Sequence, residues 1–191
     1  MNWLMLYARS RQVPASAAAV TLVALVVWAL NQGGGEGSTE LGTAVLLLTA
    51  NVAAGSVGLG GQDLALDRTA AIRWAPRRAA HVLLIGAVAG AALLAVQVVG
   101  RELAPTAIVV RDSAGLAGLA ALGAAVCGAP YAWTLPTGWL AFTFFAPPLR
   151  GTAGEILSWM TFPPGTTVST WTALALLATG TVLYAVAGPR R

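Results

Sequence analysis

The chain has no lysine, one histidine, one cysteine and few charges of any kind. Only 9% of its 191 residues are charged, whereas roughly a quarter are charged in an ordinary soluble domain. Without lysine, no phosphate-binding loop of the G-x-x-x-x-G-K-[ST] type can exist, so any ATP that drives this protein is bound by another chain. The lone Cys127 excludes an intrachain disulfide and a thiolate metal cluster.

The acidic residues are too scattered to predict a metal site. Such sites need convergent His, Cys, Asp or Glu side chains. All seven carboxylates are expected in connections between spans: Glu36, Glu40, Asp63, Asp67, Glu102, Asp112 and Glu155. With no carboxylate or arginine expected inside a span, the sequence argues against an autonomous ion-driven carrier, because such proteins usually place ionisable groups at mid-membrane.

Long apolar runs make up most of the chain, which is 57% hydrophobic. Crossing a hydrocarbon core about 30 Å thick takes roughly 20 helical residues, and these runs do not alternate as the strands of a barrel would. We predict an all-α integral membrane protein with one transmembrane domain over residues 1–191. Its six spans are expected at about 15–30, 41–59, 79–99, 113–129, 131–146 and 168–187, the first of them uncleaved.

Arginine supplies all eleven positive side chains and gives a net charge of +4. In a soluble protein this excess would suggest nucleic acid, but in a membrane protein it follows topology, and we predict no nucleic acid partner. Six spans put both termini on one side. That side holds Arg9, Arg11, Arg68, Arg73, Arg77, Arg78, Arg190 and Arg191, against Arg101, Arg111 and Arg150 on the other. The positive-inside rule therefore predicts cytoplasmic N- and C-termini in the cell membrane.

Two short helices are expected outside the spans. The N-terminal "MNWLMLYARSR" suits a helix lying in the membrane interface. Between the fifth and sixth spans, Thr152 and Glu155 fit a capping box, which predicts a helix from about Ala153 to Phe162. This helix is either re-entrant in the outer leaflet and packed on neighbouring spans, or a surface helix on the headgroups.

Small residues recur on one face of two spans. Gly86 and Gly90 form G-x-x-x-G in the third span. The fourth span has alanines four residues apart, at Ala117, Ala121, Ala125 and Ala129. Small residues allow helix backbones to approach closely in lipid, so we predict helix contacts here, within the chain rather than at a dimer seam.

The most charged stretch is "GGQDLALDRTAAIRWAPRRAAH", residues 60–81, between the second and third spans. Its acids precede its arginines, an order that complements a helix macrodipole. Pro76 is expected to end that helix, because proline disfavours helical geometry at Ala75. Arg77 and Arg78 then open the third span near anionic lipid. The length exceeds what a turn needs, which indicates either a partner or a lipid-bound interfacial helix.

A hydrolase is the alternative from the enzyme class. "AGSVG", residues 54–58, comes near the G-x-S-x-G nucleophile pattern, and an intramembrane serine protease pairs such a serine with a histidine. Ser56 and His81 would be that pair. A helix contact and an interfacial histidine explain the same residues.

The whole layout resembles the permease subunits of ABC-2-type exporters, the type V ABC exporters. Members have an interfacial N-terminal helix, six spans, a cytoplasmic coupling helix between the second and third, and short re-entrant helices between the fifth and sixth. Here "LALDRTAAIRWAPRRAAHVLLIG" is similar to the family's charged stretch followed by Pro and Arg before the third span. It departs from the family in having "ALDR" at a Glu-Arg-Glu-like start.

The resemblance implies a transmembrane permease subunit of an ATP-driven exporter. It implies a homodimer or a heterodimer with a related permease, and separate ATPase chains that bind ATP and Mg²⁺, so that this chain is not itself an enzyme. Contacts to the ATPase are expected from Asp63, Asp67, Arg68, Arg73, Trp74, Arg77 and Arg78. Polar residues within the spans mark a possible translocation path: Asn51, Gln97 and Thr143. An accessory or scaffold subunit of a larger membrane complex is the remaining alternative.

Overall fold

The structure, a computed structural model, describes residues 38–60, 74–145, 147 and 151–190. Every regular element in these ranges is helical. The α-helices are α1 Ser38–Ser56, α2 Trp74–Val99, α3 Thr106–Val126, α4 Thr134–Phe145, α5 Gly151–Leu157 and α6 Thr167–Ala187. Short 3-10 turns lie at Val57–Leu59, Ala129–Tyr131 and Trp159–Thr161. The predicted N-terminal helix, the first span and residues 61–73 of the predicted coupling segment lie outside the described residues.

Four of the described helices are long and apolar enough to cross a bilayer. These candidate spans are Glu40–Leu59, Trp74–Val99, Thr106–Val126 and Thr167–Ala187. Each has about the 20 residues that a hydrocarbon core requires. The expectation of an all-helical membrane protein is therefore confirmed at this level, and the six-span layout stays a prediction.

The predicted fifth span, residues 131–146, forms a shorter helix than expected. It opens with the 3-10 turn Ala129–Tyr131, and α4 then runs for only 12 residues. At 1.5 Å per residue α4 is about 18 Å long, against a hydrocarbon core of about 30 Å. Pro136 stands in the first turn of α4 and Pro147 follows the helix, and a regular helix cannot pass through either position undisturbed because proline lacks an N–H and its ring clashes with the preceding turn.

Helix α2 is described from Trp74 onward, so it already includes residues before the predicted start of the third span at residue 79. The expectation that Pro76 ends a preceding helix and keeps Ala75 out of helical geometry is wrong, because both residues belong to α2.

Helix α3 also begins early, at Thr106 directly after Pro105. Arg111 and Asp112 consequently lie inside the helix rather than in the connection before it. The expectation that no carboxylate or arginine occurs within a span is wrong, and with it the argument against an ion-driven carrier.

The segment between α4 and α6 is broken where one helix was expected. Helix α5 begins at Gly151, so Thr152 lies in its first turn and the expected capping box does not form. The helix stops at Leu157, and the chain continues as the 3-10 turn Trp159–Thr161. Trp159 and Met160 are fully buried, which confirms that this segment packs on neighbouring helices; its depth in a leaflet stays a prediction.

Helix α3 is the centre of the bundle, and glycines set its distance from the neighbouring helices. A methyl group at Gly86 of α2 would lie 3.1 Å from the Cβ of Ala117. On the opposite side, a methyl group at Gly118 would collide with the backbone carbonyl of Leu176, and one at Gly180 with the carbonyl of Gly118. The predicted small-residue contacts within the chain are confirmed here, because these helices cross almost backbone to backbone.

Polar contacts define two ends of the bundle. At the Glu40 end, Arg101 beyond α2 forms an ion pair with Glu40 at the start of α1. At the Arg78 end, the hydroxyl of Tyr184 in α6 donates to the carbonyl of Leu59, and the backbone N–H of Arg190 donates to the carbonyl of Ala124. Helices α1, α3 and α6 therefore run from the Glu40 end to the Arg78 end, and α2 runs the opposite way.

Candidate functional site

A buried ion pair in the second turn of α3 is the most unusual feature of the described residues. Arg111 and Asp112 are neighbours, and their side chains are 7% and 0% exposed. Arg111 lies about 7.5 Å along the helix axis from Thr106, at 1.5 Å per residue. Charges at such a place in a membrane helix carry a large desolvation cost and usually mark a function.

The two side chains neutralise each other directly. Nε of Arg111 donates to Oδ1 of Asp112 over 2.7 Å. The second carboxylate oxygen, Oδ2, has no hydrogen-bond partner in the part of the chain that the structure describes. The pair is therefore neutral as a whole and keeps one buried acceptor unused.

The remaining donors of Arg111 bind the broken segment that precedes α6. Nη1 donates to the carbonyls of Phe162 at 3.1 Å and Pro163 at 3.4 Å, and Nη2 donates to the carbonyl of Met160 at 3.4 Å. The chain leaves helical geometry here, and a helix that ends leaves its last carbonyls without N–H partners. One guanidinium, a rigid fork with five N–H groups, donates to three carbonyls at once, and the carbonyl of Pro163 also accepts from Thr166.

Trp159 fixes the turn against α3 by shape. Its indole ring lies on Gly115, one turn after Arg111, where any side chain would collide with it. Ala173 of α6 approaches Gly115 as well. The absence of a side chain at Gly115 is thus what lets the turn enter the bundle.

A groove opens beside the ion pair between α3 and α6. Its volume is about 450 Å³, and Arg111 and Ala114 line it on one wall. Thr170 and Ala173 line the other. This size falls in the usual range of small-molecule sites, and Arg111 is the charged residue of a mostly apolar lining.

The residues predicted to line a path are dispersed. Asn51 is buried in α1 at 2% exposure, and its amide atoms have no hydrogen-bond partner among the described residues. Gln97 exchanges two hydrogen bonds with the backbone of Ala104 and so closes the α2–α3 connection. Thr143 donates to the carbonyl of Trp139 over 2.9 Å. No hydrogen bond within the described ranges joins any two of these three side chains, and their role in a path stays a prediction.

The described part of the predicted coupling segment is its basic end. The guanidinium of Arg77 stacks on the indole of Trp74, 5.7 Å from the ring centroid, and remains exposed. Arg78 is half-buried beside Gly188, whose Cα would carry a methyl group only 2.8 Å from Nη1. The other four predicted contacts, Asp63, Asp67, Arg68 and Arg73, lie outside the described residues.

The hydrolase alternative gains no geometric support. Ser56 is buried at the end of α1, and its hydroxyl donates to the carbonyl of Ala53 over 2.7 Å rather than to His81. No group of three or more potential metal ligands occurs among the described residues.

Sequence reasoning missed the ion pair because it placed the start of the fourth span at residue 113. The overlooked signal was Pro105, since proline is favoured at the start of a helix. A helix that begins there takes in "TAIVVRDSAG" and both charges. Comparison with known proteins adds nothing to this site: no family model, curated protein or solved structure matches the chain.

Proposed function

We propose that this chain is the membrane-spanning permease subunit of an ATP-driven exporter whose ATPase is a separate chain. The observation that carries the proposal is the course of α2, which bears the exposed Arg77 and the half-buried Arg78 near Trp74 and packs beside the buried ion pair. A methyl group at Gly90 of α2 would lie 3.1 Å from Oγ of Ser113, the residue next to Asp112. One rigid helix thus connects a charged surface to a charged interior.

The basic surface of the Arg78 end suits a partner that presents acidic groups. Arg77 and Arg190 are both at this end, and Arg77 is exposed. Residues 63–78 contact the ATPase in this proposal, which binds ATP and Mg²⁺ and does the hydrolysis. Both termini are cytoplasmic, and the protein lies in the cell membrane as a dimer with itself or with a related permease.

Movement of the Arg78 end would reach the ion pair through α2. Closure of the ATPases on ATP pushes at the Asp63–Arg78 segment, and α2 carries the displacement because a 26-residue helix is a rod about 39 Å long. The contact of Gly90 with Ser113 passes it to α3. A path between two permease copies opens when the spans rock.

A second candidate, an ion-coupled carrier, is favoured by Asp112. A carboxylate inside a candidate span is what proton-coupled transporters use. The two candidates differ in their energy source, so a collapsed proton gradient stops transport by the carrier and leaves transport by the ATP-driven exporter intact.

Co-purification tests the exporter proposal. The tagged chain is extracted from its native membranes in mild detergent, and bound chains are identified by mass spectrometry. We expect an ATPase with a phosphate-binding loop, lost when Arg68 and Arg77 are reversed to Glu. Arg101→Glu, a single charge reversal at the Glu40 end, is the control and should retain the ATPase, whereas each single reversal at Arg68 or Arg77 should not. Isolation with other partners and no ATPase would contradict the proposal.

A further inference from the structure

Within the described ranges, several buried polar groups have no hydrogen-bond partner, and four of them come from different elements. They are the amide of Asn51, Oδ2 of Asp112, Nε1 of Trp159 and Oγ of Ser169. Each of the four residues is at most 2% exposed. Buried polar groups normally find a partner, in the protein or in ordered water, because an unmade hydrogen bond costs about 1–3 kcal/mol.

Two of these groups share a level through the packing of α2. A methyl group at Gly55 of α1 would lie 3.0 Å from the side chain of Ile85 in α2. The two helices are antiparallel, so Asn51, one turn before Gly55, lies level with the α2 residue one turn after Ile85. Gly90, next in α2, meets Ser113. Asn51 and Asp112 are therefore at the same height to within about one helical turn of 5.4 Å.

The other two reach this level through α6. Gly115 of α3 contacts both Ala173 and the indole of Trp159. Ser169 lies one turn before Ala173, and Asp112 lies about one turn before Gly115. Because α3 and α6 run in the same direction, Ser169 and Asp112 therefore lie at a similar height. The 3-10 turn that carries Trp159 contacts α1 and α6, and the indole ring lies against Gly115 of α3, so the turn adjoins the three helices that bear the other groups.

The four groups together include both hydrogen-bond donors and hydrogen-bond acceptors. Asp112 Oδ2 is an acceptor, the Trp159 indole N–H is a donor, and the Asn51 amide and the Ser169 hydroxyl are both. Arg111 already neutralises the carboxylate, so no net charge calls for an ion. The smallest ligand that can donate and accept toward such a set is water, which typically makes about three hydrogen bonds in a protein interior.

We propose that this level of the bundle is a hydrated binding site, in which ordered water bridges Asp112 Oδ2 to Trp159, Asn51 and Ser169. Water enters from the groove, whose wall includes Ala173, the residue packed on Gly115 beside the indole. The site belongs to this chain alone and does not depend on an ATPase.

Radiolytic hydroxyl labelling of the full chain in lipid nanodiscs tests the site. X-ray pulses generate hydroxyl radicals from bound water, and mass spectrometry reads the oxidation of adjacent side chains. Trp159 is fully buried, so a dry interior gives it no more labelling than Leu48 or Leu116 after correction for intrinsic reactivity. We expect severalfold more. If Trp159 is labelled no more than Leu48 and Leu116, the proposal is overturned.

A pair of variants assigns the labelling to these groups. Asn51→Leu combined with Ser169→Ala should reduce Trp159 labelling severalfold. Thr49→Val is the matched control, because Thr49 is equally buried in α1 but its hydroxyl already donates to Val45 over 2.8 Å. Equal labelling in the native chain and the double variant would also overturn the proposal. The measurement on the native chain decides the question by itself if the double variant does not fold.

Discussion

The two ends of the bundle use charge in opposite ways. At the Glu40 end, Arg111 is buried and donates hydrogen bonds to Asp112 and to three backbone carbonyls. At the Arg78 end, Arg77 lies exposed on the indole of Trp74. In the same fold, a buried arginine stabilises internal contacts, whereas an exposed arginine is available to bind a partner. We expect substitutions to affect stability at the first end and partner binding at the second.

The largest effect should come from Asp112→Ala, which leaves a buried guanidinium without its counter-charge. Breaking a buried pair costs about 3–5 kcal/mol, so the variant should unfold at a much lower temperature in detergent. Arg77→Ala at the other end should stay within about 0.5 kcal/mol. Equal melting temperatures for the two variants would remove the contrast between the ends.

The same pair allows a sharper test by full replacement. Arg111→Met with Asp112→Leu removes both charges, and we expect the double variant to recover much of the stability lost by Asp112→Ala, because apolar replacement of a buried pair is often near neutral. Failure to recover would show that the carbonyl bonds of Arg111 carry the stability.

A smaller loss of stability is expected from a substitution at the α3–α6 crossing, which lies between the two ends of the bundle. Gly118→Ala adds a methyl group where the carbonyl of Leu176 lies, and overpacking costs about 1–3 kcal/mol. Gly138→Ala is the control, because nothing lies within 4 Å of that position. It should stabilise α4 by roughly 0.5–1 kcal/mol. Thermal unfolding of both variants gives opposite signs if the crossing is as close as described.

Tyr184→Phe measures how much a buried hydrogen bond at the Arg78 end contributes to stability. The hydroxyl donates to the Leu59 carbonyl over 2.7 Å in a buried setting, so its removal should cost about 0.5–1.5 kcal/mol. Chemical denaturation measures the change. A cost as large as that of Asp112→Ala would mean that both ends depend equally on buried polar contacts.

The smallest effect is expected for the Glu40–Arg101 ion pair. Arg101 is 54% exposed, and exposed pairs contribute about 0–1 kcal/mol. Arg101→Gln should therefore change the melting temperature little, and added salt should reduce even that difference. A large loss of stability that salt does not reduce would show that this pair behaves energetically like the buried Arg111–Asp112 pair and not like an exposed surface pair.

Composition and apolar run length were enough to predict the helical membrane class, and the sixth predicted span matches α6 closely. The boundaries near prolines were harder. Pro105 lies at a helix start, where proline is tolerated, and Pro76 lies within α2, but the local sequence does not distinguish these positions from a helix end. Asp112 was misplaced for that reason. The carbonyls that bind Arg111 come from far along the chain, and no local pattern could reveal them.

That separation has a consequence for biosynthesis. Asp112 is available to Arg111 as soon as α3 is made, but the carbonyl partners follow 49 to 52 residues later. At about 5–20 residues per second, the ribosome needs several seconds to deliver them. During that interval α3 carries a half-satisfied guanidinium, and α4 is too short to shield it as an independent span. The segment before α6, translated much later than α3, therefore completes the hydrogen bonding of a charge placed in the bundle earlier.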